Sequence, residues 1–249
     1  MRTIRVAPHV HSEWSYDAEW PLAELADAFA RRKYDVVLTA EHDRGFDSER
    51  WDAYRQACAD ASVPGLLFVP GMEYEDAESL VHVPVWGSDV PFLGAGRPTT
   101  DLLRDAKANN AFTVFAHPTR RNARSSFRSE WAPFLDAVEV WNRHYDGIAP
   151  YPEGRRFAEE HGLRAFAALD FHTRRQFFPL ALVLEVAEPV STESVIDALR
   201  AGRFRAEAFG VSVLRFTGGL AGPALRSSEW LRRRVRGPVR RVQRTFGRD

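Results

Sequence analysis

Ile4-Arg5-Val6-Ala7-Pro8-His9-Val10-His11 is the stretch on which the fold turns. Its β-branched opening reads as a strand. In an extended chain successive side chains alternate between faces, so His9 and His11, two positions apart, present both imidazoles on one side. Two such nitrogens can share a metal ion.

The same order, an apolar run followed by histidine or carboxylate, recurs down the chain. Val36-Val37-Leu38 leads to Glu41, His42 and Asp43, and Leu66-Leu67-Phe68-Val69 to Glu73 and Glu75. Val81-His82-Val83-Pro84-Val85 carries its histidine within the run, and Phe112-Thr113-Val114-Phe115 precedes His117. Ala137-Val138-Glu139-Val140 leads to Trp141-Asn142-Arg143-His144, and Ala165-Phe166-Ala167-Ala168 to Asp170 and His172; Leu182-Val183-Leu184 is an eighth run. Several runs are nearly continuous in apolar content, which fits strands covered on both faces. Between many of them lie helical stretches: Leu22 to Arg32, Glu49 to Ala61, Thr100 to Asn110, Pro152 to His161 and Thr192 to Ala201, the last closing on Gly202. The alternation predicts an α/β fold, a barrel in preference to an open sheet, with the polar residues gathered where the strands end.

Six of the eight histidines, interleaved with carboxylates, fall at or near such ends. Core packing is a poor account of them, because a buried imidazole or carboxylate costs several kcal/mol unless paired or coordinated. Mixed histidine and carboxylate ligation suits zinc, manganese or iron better than calcium. Cys58 is the single cysteine, so an intrachain disulfide and a cysteine-rich zinc site are both excluded. Its helical spacing with Trp51, Tyr54 and Ala61 reads as core. A Gly-rich phosphate loop before lysine and a Gly-x-Ser-x-Gly elbow are both missing, which removes the main support for nucleotide-fold and serine-hydrolase readings. With 45% apolar residues the chain can bury one sizeable core. It has no apolar run of about 18 residues and no secretory signal, so a cytoplasmic location is expected.

Taken together, Pro8-His9-Val10-His11-Ser12 with Asp17, Thr39-Ala40-Glu41-His42-Asp43, Gly71-Met72-Glu73-Tyr74-Glu75, Ala116-His117-Pro118 and Asp170-Phe171-His172 resemble, in this order, the motifs of the polymerase and histidinol phosphatase (PHP) family of metal-dependent phosphoesterases. The resemblance implies a distorted (βα)7 barrel over residues 1–210, with 211–249 as a basic C-terminal extension. It also implies two or three divalent metal ions, zinc, manganese or iron. His9, His11, Glu73 and Asp170 would hold the first; Glu73, bridging, with His82 and His117 the second; Asp17, His42 and His172 the third. Glu41 departs from the aspartate that the family usually has before the histidine, a change expected to leave the ligands themselves intact.

The implied activity is hydrolysis of a phosphate ester of a small molecule or nucleotide. Clustered cations lower the pKa of a bridging water and spread the charge on the leaving oxygen. Asp170 is the candidate to take the proton from the attacking water. Guanidinium groups match phosphate oxygens, so Arg143 and one of Arg120 or Arg121 are the candidate substrate residues, against the plainer reading of a solvated basic loop. Trp14, Tyr16 and Trp20 read as packing residues or as a platform for the substrate, and the segment from Ser88 to Pro98 as a lid or rim.

Formal charge is zero, yet Arg226 to Asp249 hold nine arginines against Glu229 and Asp249, so the rest of the chain is acidic. Leu231, Val235, Val239, Val242 and Phe246 follow helical spacing, with Gly237-Pro238 expected to break or kink the helix. Docking on the acidic body or a partner subunit, or lying on an anionic membrane surface, is favoured over contact with nucleic acid. Protein phosphotyrosine hydrolysis, an exonuclease, and a metal-stabilised docking domain without catalysis stand as competing functions.

Overall fold

The computed structural model describes residues 1–217 and 221–246, with the side chains of the last helix described to residue 234. Twelve strands appear among them: β1 (Arg2–Val10), β2 (Val36–Thr39), β3 (Glu41–His42), β4 (Leu67–Val69), β5 (Gly71–Glu75), β6 (His82–Trp86), β7 (Phe112–Phe115), β8 (Ala137–Asn142), β9 (Arg164–Ala168), β10 (Leu180–Val186), β11 (Phe204–Ala208) and β12 (Val211–Ser212). The α-helices are α1 (Leu22–Ala30), α2 (Ser48–Ala61), α3 (Thr99–Ala108), α4 (Ala123–Ser126), α5 (Gly154–His161), α6 (Thr192–Arg200) and α7 (Ala221–Phe246). None of the described helices is long and apolar enough to cross a membrane.

The strands form two six-stranded sheets, ordered β12-β11-β10-β1-β2-β4 and β3-β5-β6-β7-β8-β9, and not a closed barrel. A parallel ring needs a helical crossover after each strand. Here β5 and β6 pair antiparallel as a hairpin, β6 returns antiparallel to β7, and β10 lies antiparallel between β1 and β11. Alternation of apolar runs does not reveal direction, so these reversals were not visible in the pattern.

Two strands change sheet. The chain leaves β2 and enters β3 across Ala40, and leaves β4 for β5 across Pro70, so Glu41, His42, Glu73 and Glu75 are carried to the second sheet. The crossing is tight. Trp86 donates its indole N–H to the Thr39 carbonyl (2.6 Å), and a Cβ on Gly71 would lie 2.2 Å from the same indole nitrogen, so only glycine fits there. The tip of β1 is stitched to the segment after β9 by Leu169 N to Pro8 O, Phe171 N to His9 O and His11 N to Phe171 O. These bonds set the His9-His11 pair against Asp170.

Core residues sit mainly on the buried strands and on the inner faces of α1, α2, α3 and α6, with Cys58 buried among them. α5 ends at His161 with Gly162 in the left-handed region (φ 65°), and Phe127 and Phe157 flank the histidine ring. α7 runs through Gly237-Pro238, since a proline removes one bond of the ladder without having to end the helix. The side chains of Val235, Val239, Val242 and Phe246 lie outside the described residues.

Candidate metal centre

Three of the residues that sequence motifs single out have backbones that L-residues rarely adopt: His9 (φ 59°), His117 (φ 27°) and Asp170 (φ 46°). Such conformations cost about 1–3 kcal/mol each and persist where surrounding contacts impose them. At His9 the stitching bonds to residue 171 do so, and at His117 the backbone N–H donates to Glu139 Oε2 (2.7 Å).

The result is a convergence of lone pairs. His9 Nε2 and His11 Nε2 lie 3.1 Å apart, and Glu73 Oε2 is 3.4 and 3.5 Å from them. Asp170 Oδ1 is 3.4 Å from His11 Nε2 and 4.0 Å from His9 Nε2. Ligand atoms about 2.1 Å from a tetrahedral zinc would lie about 3.4 Å from one another, so this set has the spacing of a coordination shell. Glu73 turns its other oxygen, Oε1, to His82 Nδ1 (3.2 Å) and His117 Nε2 (3.0 Å). Asp17 Oδ2 is 3.4 Å from His42 Nε2 and 3.3 Å from His172 Nε2. All nine positions singled out by the resemblance are thus gathered around one centre.

Donor chemistry fits metal ions as well as spacing does. His42 Nδ1, Glu75 Oε1 and His82 Nδ1 are buried without a hydrogen-bond partner among the described residues, although the first two lie 3.0 Å apart. A buried polar atom left so costs about 1–3 kcal/mol. Cations held in the cluster would supply what these atoms lack. Burial alone would keep Glu73 protonated, yet His9, His82 and His117 outweigh it and hold its carboxyl well below the usual range. Burial is likewise outweighed at Asp170, by His9 and His11 among others. At His11, burial and the neighbouring His172 push the pKa well down, leaving a neutral imidazole with a free lone pair.

Supporting side chains fix which nitrogen carries that lone pair. Ser15 gives its hydroxyl proton to Glu41 (2.5 Å), so its oxygen accepts from His11 Nδ1 (3.2 Å), and His11 Nε2 faces the cluster unprotonated. Glu41 also accepts from the backbone and hydroxyl of Ser12, which gives the buried glutamate a supporting role. Glu139 does the same for His9, taking Nδ1–H on Oε1 (2.7 Å). Asn142 links the two carboxylates, donating to Glu139 (2.8 Å) and Asp170 (3.1 Å).

Sequence reasoning missed Glu139, although a lone charge inside the apolar run of β8 was its signal. Glu75, noted only as a polar residue near a strand end, joins His42 and His82 in a further ligand group. His144, 42% exposed, brings Nδ1 to 3.8 Å from Asp170 Oδ1. Of the candidate substrate residues, Arg120 donates to Ser79 and to the Tyr145 hydroxyl, and Ser79 Oγ is 3.2 Å from His82 Nε2. Arg121 is exposed on the same loop. Arg143 is buried, donates to the Arg175 carbonyl (3.4 Å) and lies over the Phe178 ring. Trp14 packs on Tyr54 and Trp20 on Phe171, whereas Tyr16 stands 60% exposed, stacked 5.0 Å from His42. The 88–98 segment is tied down at the rim by Leu93 N to Tyr74 Oη and Gly96 N to Asp43 Oδ2.

No family model and no curated protein matches this sequence. Solved structures do. A two-domain protein from Bacteroides vulgatus, described as containing a predicted PHP-like metal-dependent phosphoesterase, aligns with 19% identity and a TM-score of 0.63 over 83% of this chain; the chain spans 65% of that protein's length. PsfC from Pseudomonas syringae aligns with 16% identity and a TM-score of 0.62, over 87% of this chain and 97% of that one. An amidohydrolase from Chromobacterium violaceum, with bound sulfate and no metal, gives 14% identity and a TM-score of 0.51, over 80% and 96%. At these identities the likeness is one of fold, and this chain has the mixed α/β fold of structures that include a protein described as containing a predicted PHP-like metal-dependent phosphoesterase.

Proposed function

We propose that this chain is a metal-dependent hydrolase of phosphate esters carried by small molecules. The observation that supports it most is Glu73, whose two oxygens face separate histidine pairs, His9 with His11 and His82 with His117. A carboxylate so placed suits a bridge between two cations. His9, His11, Glu73 and Asp170 would hold one ion, Glu73, His82 and His117 a second, and Asp17, His42 and His172 a third. Bound there, zinc, manganese or iron supplies Lewis acidity, neutralising phosphoryl oxygens and acidifying water.

The chain's own residues then have defined tasks. Glu139 and the Glu41–Ser15 pair hold His9 and His11 in the tautomers that aim Nε2 inward. Asp170, kept ionised by its neighbours, is placed to accept a proton from the attacking water through the carboxylate that Asn142 orients. Arg143, with one of Arg120 or Arg121, is proposed to meet the substrate phosphate.

The test is to purify the protein without chelator, count zinc, manganese and iron per chain, and assay phosphate release from a panel of monoesters, nucleotides and phosphotyrosine peptides. Two or three metals, with turnover lost in His11→Ala and Asp170→Ala, would support the hydrolase. Metal without turnover on any member would favour a docking domain, and failure to bind metal under any loading condition would refute the proposal.

A further inference from the structure

α7 is seated on the body beside the metal cluster. Glu229 is buried and accepts from the Ile148 backbone N–H (3.1 Å), while Arg233 donates to the Tyr145 carbonyl (2.7 Å). Gly147 makes the seat: its φ is 77°, and a Cβ there would stand 2.3 Å from Glu229 Oε1. Between the helix and the 119–121 and 145–152 segments lies a cavity of about 690 Å³. Arg120, Arg121, Arg226 and Arg233 line it, together with Trp230 and Tyr145.

The acids in its wall are already engaged. Asp146 accepts from Asn142 N (2.8 Å) and Thr119 Oγ1 (2.7 Å), and Glu229 is paired with Arg232 and Arg233. Arg226 Nη1 is buried without a hydrogen-bond partner among the described residues. That nitrogen lies against Gly222, while Arg226 as a residue lines the cavity. The cavity also adjoins the cluster: the Tyr145 ring is 4.8 Å from that of His117, and Arg120 reaches His82 through Ser79.

We propose that α7 completes the substrate site, and that Arg226 and Arg121, with Arg120 between them and the cluster, bind a second phosphate group of a substrate whose scissile ester lies at the metal centre. This rests on the hydrolase reading above, and it narrows the substrate class to molecules bearing two phosphates. Arginine suits the role because its planar donors pair with two phosphate oxygens at once. The apolar faces of Trp230, Pro150 and Pro152 would flank the carbon skeleton between the two groups.

The full chain as purified can be titrated calorimetrically with hexylphosphonate and with butane-, hexane- and octane-α,ω-bisphosphonate, none of which is hydrolysed. At the best-fitting length the second phosphonate is expected to tighten binding roughly tenfold or more, and Arg226→Gln and Arg121→Gln are each expected to remove most of that gain. Arg121 is exposed, so its variant folds whatever Arg226 does for the helix. Lack of a gain at every length, or a gain undiminished in both variants, would overturn the proposal. Chelation separates the two readings: a monophosphonate affinity indifferent to chelator would count against the metal centre, while the arginine dependence would still decide the pocket.

Discussion

Glu139→Gln tests how the first metal position is built. The carboxylate has no exposure and serves three donors: His9 Nδ1 on Oε1 (2.7 Å), and the His117 N–H (2.7 Å) and Asn142 Nδ2 (2.8 Å) on Oε2. Glutamine has one oxygen. Set where it keeps the two donors at Oε2, its amide NH2 must face His9 Nδ1, and a donor there forces the histidine to become the acceptor. The ring proton then moves to Nε2, the atom 3.1 Å from His11 Nε2 that the first ion would use. Loss of a partner that orients a ligating histidine typically weakens metal binding about 10–100-fold, or about 1.4–2.7 kcal/mol. Competition against a chelating dye should show one site weakened by that amount, with the others close to unchanged. Glu139→Ala should in addition lower stability by about 1–3 kcal/mol, because the buried His117 N–H loses its acceptor. Parent-like affinity at every site in Glu139→Gln would refute the tautomer argument.

Further outcomes follow from other contacts. Metal uptake near neutral pH should release protons, because, against burial, the neighbouring carboxylates of Asp17, Glu75 and Glu73 push His42 up to about 12, and the ion must displace its proton; a calorimetric enthalpy independent of buffer ionisation would contradict this. Burial pushes Asp146 from 3.8 to about 7, so folding takes up a proton over that interval and stability should fall as pH rises through it. Asp146→Asn should flatten that part of the stability curve in urea titrations, and an unchanged slope would show that the carboxyl is already ionised. Gly147→Ala should strain a left-handed turn and evict Glu229, exposing α7 to limited proteolysis and lowering stability by about 1 kcal/mol or more; unchanged resistance to protease would mean that the helix is not seated there.

Much of this arrangement could be read from the chain. The runs that became β1, β2, β4, β6, β7, β8, β9 and β10, and helices α1, α2, α3, α5 and α6, were legible because strand and helix leave different periods of apolar residues. The short β3, and β5 with its Glu73 and Glu75, were hidden because polar residues facing the cluster break the apolar pattern. Strand direction was hidden too, since an antiparallel strand covered on both faces looks like a parallel one. Candidate ligands could be gathered by motif order alone, but Glu139, Ser15 and Asn142 each act through at least one partner far off in sequence: 130 positions from Glu139 to His9, 26 from Ser15 to Glu41 and 28 from Asn142 to Asp170.

That separation explains why the fold gives up regularity where it does. For one carboxylate to face two histidine pairs, β5 must leave the line of β4, and the step across Pro70 into the second sheet makes this possible. For His9 and Asp170 to meet, the tip of β1 and the end of β9 must be bonded to each other through residues 169–171, and both residues take left-handed backbones to turn inward. Strain of about 1–3 kcal/mol per residue would be selected against in a site that served packing alone. Three of the eight described non-glycine residues with positive φ, His9, His117 and Asp170, touch Glu73 or the His11 that Glu73 faces, which supports a metal centre independently of motif order. Substituting glycine for His117 should accordingly stabilise the metal-free backbone relative to His117→Ala, by about 1 kcal/mol, while both substitutions abolish the second metal position. If the alanine variant proved as stable as the glycine variant, the strain would be absent and this line of support would fail.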